Sequence, residues 1–427
     1  MRILIGPLEI AGIAGGLKAG FDRIGVEAEL VFSQPHPFRY GASASRSVIP
    51  RIWSRLGEAC FGGRNGGPWR ALLLLVWKAW SVCVLAWALW RFDGFIFLYG
   101  NTLTNSRLEA WCLAKLHKRV VVIYCGSDSR PPYIDGQAFW DASIDRPEAV
   151  AALAARVSSK IALYERHGFI CVNSPFTAQF HGSPYVSWFA MGVARSFVRA
   201  PEPEPGAGPL RILHSPSNPP VKGTPHIVAL VEELKRRGHA LELVLLHKVP
   251  HDLVLGEIAR ADIVVDQLYS DTPMAVFALE AARCGKPVLV AGYAAWDDLA
   301  EVVRAPAPPS LFVRPEALGE ALERLITDPG LRTRLGCEAR AFVDSDWAPE
   351  AVATRYLRLL RDGPPDEWTI APDAVVYLHG GGLAEDNARR AVAELVGACG
   401  PAALHLDHKP ELRDAFLAFA RGAEPPA

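Results

Sequence analysis

Short apolar runs alternate with segments of helical periodicity through the first half of the chain. The runs favour strands because they are short and rich in β-branched and aromatic residues; they lie at Ile3–Ile5, Ala28–Phe32, Gly94–Tyr99, Val120–Tyr124 and Phe169–Val172. Helical periodicity is clearest at Ala71–Trp90, Arg107–His117 and Pro147–His167. Apolar strands this short, separated by helices, predict a parallel sheet that is covered on both faces.

The second half repeats this pattern after a proline-rich segment, APEPEPGAGP, at Ala200–Pro209. Proline continues neither a helix nor a sheet ladder, so this segment predicts a stiff, extended linker. Strands are predicted beyond it at Leu210–His214, Leu241–Leu246, Asp262–Asp266, Pro287–Val290 and Ser310–Val313. Helices are predicted at Pro225–Arg237, Ala275–Cys284, Pro315–Thr327 and Pro349–Arg361. Two joined α/β units predict a ligand cleft between them, at the carboxyl ends of their strands.

The composition is that of a folded protein without a bulk affinity for nucleic acid. Hydrophobic residues make up 50% of the 427 residues and charged residues 21%, which excludes global disorder. Lys+Arg 45 and Asp+Glu 46 give a net charge of -1, so nucleic acid is not an expected partner. The window Ser33–Phe92 departs from this balance, because Glu58 is its only acid beside eight basic residues.

The cysteines and the first residues bear on the compartment. The eight cysteines form no C-x-x-C pair and no zinc-ligand spacing, so they are predicted to be thiols in a reducing environment, without a metal. The first apolar run is interrupted by Pro7 and Glu9 before the apolar core of a signal peptide develops. The sequence therefore predicts a cytoplasmic protein.

A candidate phosphate site lies between a predicted strand and the next predicted helix. His214–Thr224 reads HSPSNPPVKGT, which places Lys222 and Gly223 at the start of that helix. Free N–H groups and the helix dipole favour an anion there, and the lysine adds a positive charge. The alternative is a solvated lysine beside a turn glycine.

A candidate ribose site lies on a later helix. Thr272–Val288 reads TPMAVFALEAARCGKPV, and Glu280 stands in an otherwise apolar stretch of it. A carboxylate in such surroundings requires donors, which the hydroxyl groups of a ribose supply. The alternative is a salt bridge to Arg283 or Lys286.

Three segments in this order, ILHSPSNPPVKGT, ADIVVDQL and FALEAARCGKPVLV, resemble the C-terminal domain of the GT-B glycosyltransferases of family four. The resemblance runs from Leu210 to Arg361. It implies an α/β fold of two Rossmann-like domains that face each other across a cleft. It also implies a nucleotide-sugar donor, transfer with retention, and no metal or other cofactor. By this resemblance Lys222 contacts the donor diphosphate, and Glu280, the second acid of the family's E-x₇-E motif, binds the ribose.

The same segments depart from the family pattern in two places. Thr272 occupies the position of the first acid of the motif, with Asp271 beside it as a substitute. Ser217 stands where many relatives carry an arginine, and the adjacent Asn218 is polar but uncharged. We predict that Asn218, Gly223 and Thr272 belong to the donor site with Lys222 and Glu280. A site so altered also leaves open a non-catalytic sugar-binding protein.

Two loops of the first half are candidates for the other side of the cleft. Gly15 and Gly16 follow the first strand and allow a close approach to the donor, or serve a tight turn only. The segment VVVIYCGSDSRPP places Asp128 at the end of a strand, and its GSD-x-R pattern resembles the same glycosyltransferases. Asp128 is the candidate for handling the acceptor hydroxyl; the alternative is that it caps the next element with Arg130.

The acceptor side is completed by Gly100 and Asn101, which end the neighbouring strand, and by Ser127 and Arg130 beside Asp128. Together these residues predict an acceptor site at the carboxyl edge of the first sheet.

These patterns predict the following division of the chain. Residues 1–199 form the acceptor-side domain, 200–209 the linker and 210–346 the donor domain. The helix in 347–362 packs back toward the first domain, and 363–427 form a small β-α-β-α appendage.

The appendage contains VVYLHGGG, which is similar to the oxyanion-hole strand of lipase-like hydrolases. That chemistry also needs a G-x-S-x-G nucleophile, which the sequence lacks. We therefore expect His379–Gly382 to form a turn.

The apolar segment Ala71–Trp90 is long enough to span a bilayer, at about 30 Å. A spanning helix would separate the first strand from its neighbours, so a core helix and an interfacial helix remain. Trp77, Trp80, Trp87 and Trp90 share an arc of about 140° on a helical wheel. With the basic surroundings, this arc predicts a face that contacts an anionic membrane.

The sequence thus predicts a glycosyltransferase on the inner face of a membrane, with a lipid-linked acceptor. The alternatives are a soluble transferase for a small acceptor and a non-catalytic nucleotide-sugar or glycan-binding protein.

Overall fold

The structure, a computed structural model, describes residues 1–34, 45, 47–62, 68–144, 146–194, 208–294, 302–303 and 305–422. Most of the predicted linker, residues 200–207, lies outside the described residues, as do Arg39, Arg46 and Arg64 of the basic window.

The first sheet has seven strands in the order β12-β6-β5-β4-β3-β1-β2. Its strands are β1 (Ile3–Gly6), β2 (Ala28–Leu30), β3 (Gly94–Leu98), β4 (Arg119–Ile123), β5 (Ile170–Asn173), β6 (Tyr185–Ser187) and β12 (Thr369–Ile370). All neighbours pair in parallel except β12, which runs antiparallel to β6. The chain reverses direction across the sheet between β1 and β3, and parallel sheets bind ligands at the carboxyl ends near such a point.

Helices cover both faces of this sheet. They are α1 (Ile13–Arg23), α2 (Val48–Phe61), α3 (Pro68–Arg91), α4 (Arg107–Lys115), α5 (Gly136–Phe139), α6 (Pro147–Arg166) and α7 (Trp188–Met191). Buried side chains form one cluster on each face, around Ile5 and Leu17 on one side and around Phe95 and Trp53 on the other.

The second sheet has five parallel strands in the order β11-β10-β9-β7-β8. Its strands are β7 (Leu210–His214), β8 (Leu241–Leu245), β9 (Ile263–Val265), β10 (Val288–Ala291) and β11 (Leu311–Val313). The helices around it are α8 (Thr224–Arg236), α9 (His251–Arg260), α10 (Val276–Arg283), α11 (Leu318–Thr327) and α12 (Pro329–Ser345). The predicted fold class, two Rossmann-like α/β units with parallel sheets, is confirmed.

The chain then returns to the first unit. Helix α13 (Pro349–Asp362) packs on α1, where Arg23 pairs with Glu350 at 2.8 Å. Gly20 is required at this crossing, because a Cβ atom there would collide with the backbone of Pro349. Strand β12 follows and extends the first sheet.

The last residues share the core of the first unit. Helices α14 (Glu385–Cys399) and α15 (Pro410–Ala420) contribute Leu395 and Phe416 to the cluster that contains Phe95. Between them Pro401–Leu404 forms a 3₁₀ turn, where the β-α-β-α prediction expected a strand. Tyr133 links the two parts, since its hydroxyl group donates to the carbonyl oxygen of Leu404 at 3.1 Å.

Helix α3 is the described helix that is long and apolar enough to cross a membrane, with a mean hydropathy of 2.0 and 22% of the scored window buried. Strand β1, before it, and β3, after it, are neighbours in one sheet. A membrane-spanning α3 would place these paired strands on opposite sides of the bilayer.

The predicted tryptophan face of α3 is wrong for three of its four residues. Trp77 stacks on Trp53 with ring centroids 5.8 Å apart, Trp80 donates to the carbonyl oxygen of Ile49, and Trp87 packs on Phe92. These three indoles face the core because α2 lies against that side of α3. Trp90 is 79% exposed. It lies on the opposite side with other exposed apolar residues, Leu72, Leu75, Val76 and Val82.

Candidate functional site

A cavity of about 380 Å³ lies where the carboxyl ends of the two sheets face each other. Ile10 and Ala11 line it from the first unit, while Lys222 and Glu280 line it from the second. Two of the sequence-predicted donor residues, Lys222 and Glu280, are therefore brought together at one cavity, although 58 positions separate them in the chain.

Lys222 precedes the first turn of α8. Gly223 caps that helix in the left-handed conformation with φ 70°, and an added Cβ atom would approach the Cβ atom of Leu268 to 2.5 Å. His214 holds Thr224, the first residue of α8. Its two ring nitrogens lie 2.9 Å from the carbonyl oxygen of Val265 and 2.9 Å from Thr224 Oγ1. Burial lowers the pKa of His214 to about 4, so the ring is neutral at pH 7.

Two residues at the end of β9 hold the Lys222 ammonium group. Its Nζ atom donates to Gln267 Oε1 and lies 3.9 Å from Asp266 Oδ1. Asp266 is buried, and its other oxygen has no hydrogen-bond partner among the described residues. Burial raises the pKa of Asp266, and the lysine opposes that shift. Sequence reasoning missed Asp266 and Gln267, although the segment ADIVVDQL contains both.

Glu280 is 4% exposed and projects from α10 into the same cavity. Its Oε1 atom lies 2.8 Å from Nε2 of His251, at the start of α9. The sequence left open a salt bridge to Arg283 or Lys286, and the contact that the structure shows at 2.8 Å is with His251. Arg283 lies 3.9 Å from Asp344. Sequence reasoning also missed His251.

The other predicted donor residues lie farther from this centre. Asn218 crosses the cleft, where its Nδ2 donates to Gln137 Oε1 of the first unit at 3.2 Å. Thr272 lines a smaller cavity of about 50 Å³, which it shares with Asp271 and Trp188. Asn218 thus contacts the facing unit, and Thr272 borders a different cavity from Lys222.

The glycine loop after β1 binds a carboxylate of its own chain. Glu9 is buried and accepts hydrogen bonds from the backbone N–H groups of Ala14 and Gly15, at 3.2 and 3.1 Å. Gly16 donates to Gly12 within the first turn of α1. The Glu9 carboxylate thus occupies the N-terminus of α1, and Gly15 and Gly16 are not among the residues that line the cavity beside Lys222. Their contact with a donor stays a prediction. Ile10 and Ala11 are the cavity-lining residues of this loop.

Asp128 is buried behind the end of β4. Its Oδ1 atom accepts from the backbone N–H of Cys125 at 2.8 Å, while Oδ2 is buried and without a partner among the described residues. Burial raises the pKa of Asp128 to about 6. The pairing with Arg130 that the sequence left open does not form, because Arg130 bonds two other carboxylates.

The remaining acceptor-side residues surround Asp128. Gly100 is so close that an added Cβ atom would lie 3.5 Å from Asp128 Oδ2. Asn101 accepts from Lys160 Nζ at 3.1 Å, and Ser127 is exposed. These residues belong to the first unit's side of the cleft, and their contact with an acceptor stays a prediction.

Arg130 joins the two units across the cleft. Its Nη1 donates to Asp135 at 2.6 Å, and its Nε donates to Asp271 of the second unit at 3.0 Å. Burial works against the charge of the guanidinium group, but the two carboxylates outweigh it and raise the pKa of Arg130. Asp271, the suggested substitute for the missing motif acid, is therefore engaged in an ion pair.

The segment Tyr377–Leu383, which we call the glycine strap, runs beside this ion pair. Gly382 donates to the carbonyl oxygen of Tyr269 in the second unit at 2.7 Å, and Gly381 accepts from the N–H of Gly136 in the first at 2.8 Å. A Cβ atom on Gly381 would lie 2.9 Å from Arg130 Nη2. The predicted turn is thus a contact between the two units.

Among the described residues, no group of three or more His, Cys, Asp or Glu side chains is arranged to hold a metal ion. The absence of a cofactor stays a prediction.

No family model matches the chain, and no curated protein matches it. Solved structures with a similar fold include the glycosyltransferase SnogD from Streptomyces nogalater, which is 16% identical over 84% of this chain and 100% of that one, with a TM-score of 0.40. Sucrose-phosphate synthase from Thermosynechococcus elongatus is 15% identical over 84% of this chain and 98% of its own, with a TM-score of 0.44. A putative UDP-N-acetylglucosamine 2-epimerase from Listeria monocytogenes is 12% identical over 86% of this chain and 98% of its own, with a TM-score of 0.41. Similarity of this degree assigns neither a family nor an activity to this chain.

Proposed function

We propose that the chain is a GT-B glycosyltransferase that moves a sugar from a nucleotide-sugar donor to a lipid-linked acceptor. The observation that carries the proposal is the cavity that contains both Lys222 and Glu280. A cation at a helix N-terminus suits the diphosphate, and a buried carboxylate suits the ribose hydroxyls.

The first unit supplies the other wall of the cleft. A sugar attached to a diphosphate held at Lys222 extends toward the loop that contains Ile10 and Ala11. Lys222 and the N–H groups of α8 then stabilise the charge that develops on the leaving diphosphate. Retention and metal independence are part of the proposal and come from the motif resemblance alone.

The acceptor hydroxyl is proposed to approach from the side of Asp128. That carboxyl group has one unpartnered oxygen, and burial raises its pKa to about 6, close to the range that suits proton transfer near neutral pH. Because Asp128 Oδ2 is buried beside Gly100, the loop that contains Gly100 must move slightly before an acceptor hydroxyl group can reach this oxygen.

Membrane attachment is proposed through the outer face of α3. Leu72, Leu75, Val82 and Trp90 are exposed there, and they form an apolar stripe along the helix. Arg70 and Lys78 are exposed on the same helix, and Arg51 and Arg55 are exposed on α2. An anionic membrane on the cytoplasmic side complements this combination of apolar and basic groups.

The test is a thermal-shift screen of nucleotide sugars and nucleoside diphosphates, followed by a turnover assay with the one that binds. A ligand at 100 times its Kd raises the unfolding free energy by about 2.7 kcal/mol. We expect nucleotides of one base to stabilise the protein. The sugar of the corresponding nucleotide sugar should then be transferred to an acceptor in a membrane extract. Stabilisation by none of them contradicts the proposal, and binding without turnover favours a non-catalytic binding protein.

A further inference from the structure

Another cavity, of about 190 Å³, lies in the first unit at the carboxyl ends of β1, β2 and β3. We call it the aromatic pocket. Its apolar wall combines two loop residues and Leu103 with three aromatic side chains of α2 and α3, and its polar wall carries hydroxyl and amide groups. The lining residues are Pro7, Leu8, Ser33, Gln34, Trp53, Phe61, Trp77, Asn101, Thr102, Leu103 and Asn105.

One donor in this pocket is unsatisfied. The indole N–H of Trp53 donates to Ser81 Oγ at 2.8 Å, and that of Trp80 donates to Ile49. The Nε1 atom of Trp77 is equally buried but has no hydrogen-bond partner among the described residues. Buried indole N–H groups normally find an acceptor, so this one indicates a ligand that supplies an oxygen.

The pocket adjoins the candidate donor cavity. Pro7 and Leu8 line the aromatic pocket, while Ile10 and Ala11, on the same loop, line the donor cavity. Leu8 and Ile10 are two residues apart, so their Cα atoms lie within about 7 Å of each other. A group held in the aromatic pocket therefore sits beside a sugar held in the donor cavity.

The wall chemistry selects among ligands of this size. Aromatic faces pack against the C–H groups of a pyranose ring, while its hydroxyl groups accept from an N–H and exchange hydrogen bonds with amides. A simple alkyl chain would leave the Trp77 N–H and the amide of Asn105 without new partners, at a cost in free energy.

We propose that the aromatic pocket binds a pyranose ring, which is the part of the acceptor that receives the transferred sugar. That this pyranose is the acceptor rests on the proposed function, whereas the binding of a pyranose in the pocket does not. A lipid-linked acceptor then carries at least one sugar already, and the reaction lengthens a glycan rather than starting one.

The probe is n-octyl-β-D-glucopyranoside below its micelle concentration, measured by titration calorimetry on the full chain. Pentaethylene glycol monooctyl ether, which has the same alkyl chain without the pyranose, is the comparison ligand. We expect the glucoside to bind and the ether to bind at least tenfold more weakly, since it offers no ring to the aromatic wall.

The matched variants are Trp77→Phe and Trp90→Phe on the same helix. Trp77→Phe keeps an aromatic ring and removes the N–H, so the glucoside should bind about fivefold to tenfold more weakly, as for the loss of one hydrogen bond. Trp90 is 79% exposed on the far side of α3, and its variant should bind as wild type does. Phe61→Leu, at a rim residue that is 47% exposed, provides a second loss of aromatic surface with little effect on folding.

Absence of glucoside binding, equal binding of the ether, or full affinity in both pocket variants would overturn the proposal. Nucleoside diphosphate binding is measured on the same samples. Absence of nucleotide binding with glucoside binding present contradicts the proposed function and leaves the pyranose site standing. Nucleotide binding without glucoside binding overturns the pyranose site and leaves the proposed function standing.

Discussion

Lys222 is the residue from which the donor assignment is most directly tested. Removing its ammonium group takes a charge-assisted hydrogen bond from the diphosphate, so Lys222→Ala should weaken nucleoside diphosphate binding by about 1.5–3 kcal/mol. Titration calorimetry measures this change. Binding of the corresponding nucleoside, without phosphates, should stay within a factor of two.

The matched control is Lys235→Ala on α8, whose side chain pairs with Glu232 at the surface. It removes the same charge at the far end of the same helix. Equal losses in the two lysine variants would mean that general electrostatic attraction, and not contact at the helix start, holds the nucleotide.

Asp128 makes a prediction about pH. Its pKa is raised from 3.8 to about 6 in the folded protein, so between these values the folded state binds more protons than the unfolded one. Stability therefore falls as pH rises through this range, by up to about 3 kcal/mol. Asp128→Asn should be more stable than wild type at pH 7 and should lose that advantage near pH 4.

Chemical denaturation at several pH values measures the effect, and kinetics on the same variant test the chemistry. If Asp128 handles the acceptor hydroxyl, turnover should fall far more than donor affinity. Full turnover per folded molecule would assign the carboxylate to the loop structure alone.

At the residue scale, sequence reasoning found the side chains whose function is indicated by the residues next to them in the chain. Lys222 follows a strand and Glu280 interrupts an apolar helix, and both line the predicted cleft. His251 and Glu9 were missed because their partners are recognised only after folding. Nothing in the spacing of Glu9 shows that its carboxylate occupies the start of α1.

At the element scale, α3 gives the sharpest contrast between its two faces. The pair Leu75→Glu and Val82→Glu changes residues that are 66% and 56% exposed, so folding should be retained. The new charges should abolish sedimentation with anionic vesicles, because a carboxylate loses hydration when it is buried in the bilayer and is repelled by anionic headgroups.

The control is Trp80→Ser on the inner face, where the indole packs against the core and donates to Ile49. It should destabilise the first unit by about 2–4 kcal/mol, as for other large-to-small core changes. A wild type that stays in solution with anionic vesicles at low salt would remove the membrane from the proposed function.

The elements themselves were largely predictable, and their orientations were not. Ten of the twelve described strands lie within one or two residues of the apolar runs, because a buried parallel strand needs a short, continuous apolar segment, whereas β6 and β12 were not predicted. The helical wheel of α3 correctly placed Trp77, Trp80 and Trp87 on one arc, but it grouped Trp90 with them, although that side chain is exposed on the other side. It could not show that α2, which was not predicted, covers that arc and turns the opposite one outward.

At the scale of the whole molecule, the glycine strap and Arg130 together fix one unit against the other. Gly381→Ala places a methyl group against the guanidinium of Arg130, which two carboxylates hold in place. The ion pair must shift, so we expect a loss of about 1–3 kcal/mol in unfolding free energy. Small-angle scattering should show a wider cleft.

Gly397→Ala is the matched control, since an added Cβ atom there meets nothing within 4 Å. Alanine in that helix should be neutral or should stabilise by roughly 0.5–1 kcal/mol. Similar losses in the two variants would mean that the strap does not constrain the cleft. The strap itself was not predictable, because its partners Ile134 and Tyr269 lie more than 100 residues upstream.

The return of the chain to its first unit also has a consequence for synthesis on the ribosome. All five strands of the second sheet come from one continuous stretch, whereas the first sheet waits for β12 at Thr369–Ile370, and its core waits for Phe416. The unit translated second thus becomes self-sufficient before the unit translated first. We expect stalled nascent chains with residues up to about 346 outside the ribosome to protect the second unit from protease and to leave the first unit open to cleavage.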